Sequence, residues 1–165
     1  MKIKSIVLGL ALAAASVFGS QANAQEVFKK GTNTVSALIG TTNFGNFSVL
    51  PIQISYERGI VDGLLSSGKG SIGVGGALGT YTASLFSSSF IGAKGSFHYE
   101  FAPKWDTYAG LFLGANVVNN QSQWNFAFGS QIHLGTRYYF APNFAVNAEI
   151  GYGVSLINIG LTYRF

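Results

Sequence analysis

Ile157-Asn158-Ile159-Gly160-Leu161-Thr162-Tyr163-Arg164-Phe165 alternates without a break. Ile157, Ile159, Leu161, Tyr163 and Phe165 share one face, and Asn158, Gly160, Thr162 and Arg164 share the other. A period of two over such a length specifies a β-strand with unlike surroundings on its two sides.

The same period runs back through the chain. Ile91, Ala93, Phe97, Tyr99 and Phe101 stand opposite Lys94, Ser96, His98 and Glu100. Phe126, Phe128, Ile132, Leu134, Tyr138 and Phe140 stand opposite Gln131, His133, Arg137 and Tyr139. Leu50, Ile52, Ile54 and Tyr56 face away from Gln53, Ser55 and Glu57, with Pro51 tolerable near a strand start. Strands over 107–117 and 144–152 are weaker versions. One over 71–81 is glycine-rich and breaks phase at Gly75-Gly76, which predicts a bulge or a close backbone approach. With a first strand over 33–40 the count is eight. An internal echo agrees: Tyr99-Glu100-Phe101-Ala102-Pro103-Lys104-Trp105 returns as Tyr138-Tyr139-Phe140-Ala141-Pro142-Asn143-Phe144.

Composition says where such strands belong. Charged residues are 10% of the chain, against roughly 25% in soluble domains, and no apolar stretch after the N-terminal leader is long enough for a membrane helix. A closed sheet satisfies every backbone group in lipid without helices. Tyr99-x-Phe101, Tyr138-x-Phe140 and Tyr163-x-Phe165 end three strands alike, with Trp105 and Phe144 across the adjacent turns, as an aromatic girdle at a membrane interface would. The fold class expected is all-β, an eight-stranded antiparallel up-and-down transmembrane β-barrel. The connections over 41–48, 82–89, 118–122 and 153–155 would be its outer loops.

The N-terminus reads as an export signal: Lys2 and Lys4, an apolar run from Ile6 to Phe18, then Ala22-Asn23-Ala24. Cleavage between Ala24 and Gln25 would leave a barrel domain over 25–165. Net charge then falls from +4 to +2 as Lys2 and Lys4 leave, with no basic cluster for nucleic acid. The chain has no cysteine, so disulfides and thiol chemistry are excluded.

Chemistry, if any, lies on the polar face. Glu57, Lys94, His98, Glu100, His133, Arg137, Glu149 and Arg164 fall there and would form a polar network in the lumen, which side chains fill in a barrel of this size. Ser96, His98 and Glu100 mimic a nucleophile, base and carboxylate, but strand alternation gives that spacing for free. Two histidines and scattered carboxylates do not make a metal site. Gly68-x-Gly70 and Gly73-x-Gly75-Gly76 precede no helix and are not a phosphate loop. The expectation is no catalytic, cofactor-binding or metal residues.

The export signal, the alternating strands, the Tyr-x-Phe endings and the terminal Gly160-Leu161-Thr162-Tyr163-Arg164-Phe165 together resemble small outer-membrane β-barrel proteins, the OmpA, OmpX and opacity-type superfamily. The resemblance implies a monomer in the Gram-negative outer membrane with both termini periplasmic, in contact with outer-membrane lipid and lipopolysaccharide. It also implies that the barrel-assembly machinery reads Tyr163 and Phe165. The function expected is structural, with weak passage of small solutes or ions as an added capacity. The rivals are an outer-membrane lipid-modifying enzyme and a secreted lipocalin-like carrier of an apolar ligand. The carrier would turn the apolar face inward, and periodicity alone does not say which face that is.

Overall fold

The computed structural model describes residues 27–44, 47–82, 86–120 and 123–165; the leader and its cleavage site at Ala24 and Gln25 lie outside them. Among the described residues the strands are β1 (Asn33–Phe44), β2 (Phe47–Val49), β3 (Ile52–Leu64), β4 (Gly70–Thr82), β5 (Phe86–Ala102), β6 (Trp105–Asn120), β7 (Gln123–Tyr139), β8 (Phe144–Tyr152) and β9 (Ile157–Arg164). Each pairs antiparallel with its neighbours in the sheet, and β9 closes on β1. β2 and β3 meet β1 in one continuous register, Thr42↔Val49 and then Ile39↔Ile52. They are one strand interrupted at Pro51, which has no N–H to give the ladder but whose carbonyl accepts from Gly40 N at 2.8 Å. The ring therefore has the expected eight strands.

The register fixes the tilt. Cα partners lead from Tyr138 through Val146, Leu161, Ala37, Ile54, Leu78, Ile91 and Ala115 back to β7 at Phe128, ten positions from the start (138 less 128). A stagger of that size over eight strands tilts them by about 40°. Every residue on this path is small, apolar or aromatic, and every one faces outward.

The faces are now assigned. Ile52, Ile54, Ile91, Leu134, Val146, Ile159 and Leu161 are exposed on the outer wall, while Gln53, Glu57, Lys94, His98, Arg137 and Glu149 are buried inside. This polarity is the reverse of a soluble carrier's, so the lipocalin-like alternative is set aside. The outer wall is a surface for acyl chains.

The aromatic endings gather at the end where β1 begins beside Phe165 (Asn33 N to Phe165 O, 3.1 Å), the terminal end of the barrel. There Trp105 packs on Tyr138 at 5.0 Å, Phe144 on Tyr163 at 4.9 Å and Tyr99 on Phe101 at 4.7 Å between ring centroids. The Pro103-Lys104 turn joins β5 to β6, and Lys104 holds φ at 71°. That left-handed position costs an L-residue roughly 1 kcal/mol that glycine escapes. Lys104→Gly should therefore raise the unfolding free energy in detergent micelles by about 0.5 kcal/mol, read as a higher urea midpoint.

The phase break at Gly75-Gly76 is met by the second of its two expected causes, and the expected outer loops need correction. No bulge occurs at Gly75-Gly76, which pair regularly with Glu57 and Tyr56; the irregularities lie further along β3, between Gly59 and Val61 and between Val61 and Leu64, across from Gly73, Ile72 and Gly70. The close approach is real, since a Cβ on Gly75 would run into the carbonyl oxygen of Tyr56. Three of the outer loops, those expected over 41–48, 82–89 and 118–122, are also shorter than expected, while the one at 153–155 runs over 153–156. β5, β6 and β7 run 17, 16 and 17 residues, through Ser- and Asn-rich sequence that reads as loop, whereas β8 and β9 have 9 and 8. One wall of the barrel thus stands well above the other at the end far from the termini.

Candidate functional site: the charged lumen

Alternation delivers a column of polar side chains to the barrel axis. Descending β5 towards the termini come Phe90, Lys94, Ser96 and His98; descending β7 come Gln131, His133, Arg137 and Tyr139, all buried. At the lower level four groups close a square. Glu57 Oε2 accepts from Arg137 Nη2 at 2.8 Å, and Asp106 Oδ2 accepts from Arg137 Nη1 at 3.2 Å. The other carboxylate oxygens face His98: Nδ1 lies 2.8 Å from Asp106 Oδ1 and Nε2 lies 3.1 Å from Glu57 Oε1. With a carboxylate at each ring nitrogen, only the imidazolium can donate at both.

One level higher, Lys94 Nζ is 2.9 Å from Glu149 Oε1. Tyr108 joins the two levels. Its hydroxyl donates to Glu149 at 2.6 Å and lies 2.9 Å from Asn147 Oδ1, while the Arg137 guanidinium sits 4.4 Å from its ring centroid. Gly135 makes this possible, because a Cβ there would enter the Tyr108 ring. Three cations (Lys94, Arg137 and the His98 imidazolium) thus meet three carboxylates (Glu57, Asp106 and Glu149). Charges taken out of water are tolerable only when paired and hydrogen-bonded in this way.

The lumen is packed above and below this network. Towards the termini, Phe28 stacks on His98 (centroids 3.8 Å apart, 14° between planes) and Val27 clusters with Tyr139 and Ala145. Towards the far end, Ala77, Phe90, Phe112 and Val154 form an apolar cluster. Between them, the space bounded by Gln53, Lys94, Gln131, His133 and Glu149 amounts to about 10 Å³, room for about one water.

Six of the eight residues expected in the lumen network lie inside as buried groups: Glu57, Lys94, His98, His133, Arg137 and Glu149. His133 makes no hydrogen bond through Nε2 among the described residues. Glu100 and Arg164 sit instead at the rim, where both hold the N-terminal segment: Val27 N donates to Glu100 Oε2 at 3.2 Å, and Arg164 Nη1 donates to Val27 O at 2.7 Å. Ser96, His98 and Glu100 do not assemble, since both His98 nitrogens face other carboxylates and Ser96 Oγ has no partner among the described residues. Asp106, Tyr108, Asn147 and Phe28 belong to the network without having been expected there.

Comparison with solved structures agrees with this architecture. The chain is similar to a de novo designed transmembrane β-barrel (TM-score 0.58, 20% identity, covering 83% of this chain and 98% of that one). It is also similar to the N-terminal β-barrel domain of Pseudomonas aeruginosa OprF (0.56, 15%, 82% and 98%). The fold is that of an eight-stranded transmembrane barrel. The barrel of Neisserial surface protein A matches likewise (0.53, 14%, 81% and 94%). No family model matches the chain, and no curated protein matches it.

Proposed function

We propose that this transmembrane barrel is a structural, non-conducting protein of the Gram-negative outer membrane. The observation that carries the reading is the lumen, filled at three successive heights by the Val27–Phe28 segment, the ionic network and the Phe90–Phe112 cluster. Weak passage of solutes would need that column to part, and the water-sized void beside Lys94 and Glu149 favours a plug. The dispersed Ser96, His98 and Glu100 favour the absence of catalysis.

On this reading the termini and the aromatic girdle face the periplasm. Tyr163 and Phe165, exposed on the outer wall, are offered to the barrel-assembly machinery, and the wall itself meets outer-membrane lipid and lipopolysaccharide. The barrel is a monomer whose paired charges hold one rigid cross-section. Planar-bilayer recording on the refolded mature protein tests this: silent traces are expected, and steady unitary currents would overturn it. Heat-modifiable migration in the outer-membrane fraction tests the location.

A further inference from the structure

The end of the barrel far from the termini is uncharged. No Asp, Glu, Lys or Arg occurs in 33–56, 70–93, 107–136 or 150–163, the four stretches that contain every hairpin at that end. Anionic headgroups are recognised through Arg and Lys, and this end offers neither. It offers amides, hydroxyls and aromatic rings.

The rings are concentrated at one place. β7 pairs with β8 only from Ile132↔Tyr152 downwards, so from Gln123 to Gln131 it has a strand partner on the β6 side alone among the described residues. Along this free edge Trp124, Phe126 and Phe128 point outward with 65, 79 and 75% exposure. Trp124 lies eight positions beyond Ile132. At about 3.3 Å per residue and about 40° of tilt, that is roughly 20 Å above the closed ring. An open sheet edge does not occur in hydrocarbon, so acyl chains do not account for Trp124 and Phe126. Lower on the same wall, beginning at Ile132 four positions below Phe128, lies an open apolar trough of about 460 Å³, lined by Ala109, Ile132, Leu134, Ile150 and Tyr152. It is about three times the roughly 150 Å³ of a cavity that admits benzene.

We propose that this wall binds an acylated neutral sugar, a glycolipid of the outer leaflet: one acyl chain in the trough, and the sugar against Trp124, Phe126 and the free edge of β7. Uncharged sugar hydroxyls match the amides of the edge and its backbone groups, which have no strand partner on that side among the described residues, and the apolar faces of the sugar ring match the aromatics. The site rests on the membrane reading above and narrows its lipid partner from phosphate-bearing to neutral headgroups.

Native mass spectrometry of the refolded mature protein tests it, with monogalactosyl-diacylglycerol, phosphatidylglycerol of the same chains and diphosphoryl lipid A offered together. The galactolipid should be retained roughly tenfold over phosphatidylglycerol, about 1.4 kcal/mol, and EDTA should not alter this. Trp124→Ser with Phe126→Ser should bring the two to parity. Ala109→Phe, which fills the trough from the lipid side, should do the same. Excess methyl galactoside should not displace the galactolipid; if instead it alone shifts Trp124 emission in a Trp105→Phe background, the sugar surface stands but serves a free glycan and the trough assignment fails. Equal retention of all lipids, or an EDTA-sensitive preference for lipid A, would overturn the proposal. A conducting barrel would defeat the structural function and leave this result untouched.

Discussion

Arg137→Met should lower the unfolding free energy of the barrel by about 3–5 kcal/mol, the cost of stranding buried charges by removing their partner. Arg137 is 1% exposed and its guanidinium bridges Glu57 and Asp106 while lying over the Tyr108 ring. Without it, His98 alone faces two carboxylates. Both carboxylates are buried, so bulk water does not reach them to replace the guanidinium. Urea titration in micelles, followed by heat-modifiable migration, reads the loss directly. A companion variant separates pairing from packing: Arg137→Met with Glu57→Gln and Asp106→Asn removes the guanidinium and both carboxylates of the lower level as a set and should recover most of the loss, since no carboxylate of that level is then left unpaired and Lys94 stays paired with Glu149. If the single variant lost less than about 1 kcal/mol, the square would be ornamental and the lumen would owe its rigidity to the strands alone.

How far this site could be read from sequence depends on which link of the chain places each residue. Lys94, His98, His133 and Arg137 sit on strands with strong contrast between faces and Glu149 on a weaker one, and parity alone sends all five inward. Asp106 stands one position before the strand expected from 107, and extending that strand's parity backwards would have caught it together with Tyr108. Phe28 could not have been caught, because it lies before β1 and reaches His98 only through the fold of the rim. The heights of β5, β6 and β7 were hidden for another reason. Ser87 to Ser89 are polar on both faces, and Asn116 to Asn120 put a valine and asparagine on each face (Val118 with Asn116 and Asn120, Val117 with Asn119), so alternation is silent there, and the strands persist because their neighbours pair with them. Strand number followed from periodicity and the Pro-turn echo. Stagger did not, since it depends on register between strands.

Phe28→Gly should open the terminal mouth of the barrel. Three bonds hold the segment in place: Val27 N to Glu100, Arg164 to Val27 O at 2.7 Å, and Ser71 Oγ to Phe28 O at 3.0 Å. The ring supplies the rest, stacked on His98 in a space that exists because residue 73 is glycine; a Cβ there would lie 2.9 Å from the Phe28 ring. Losing a buried phenylalanine costs about 3–5 kcal/mol, and each 1.4 kcal/mol of lost closure is tenfold in the open population. The chain has no cysteine of its own, so Ser71→Cys gives a single reporter beneath the segment. In that background a water-soluble methanethiosulfonate should label slowly when Phe28 is present and roughly a hundredfold faster or more in Phe28→Gly. Equal rates would mean that the segment covers the mouth without closing it. Faster labelling with bilayer traces still silent would place the seal of the lumen in the ionic square and the Phe90–Phe112 cluster, leaving Val27 and Phe28 to shield His98 from water.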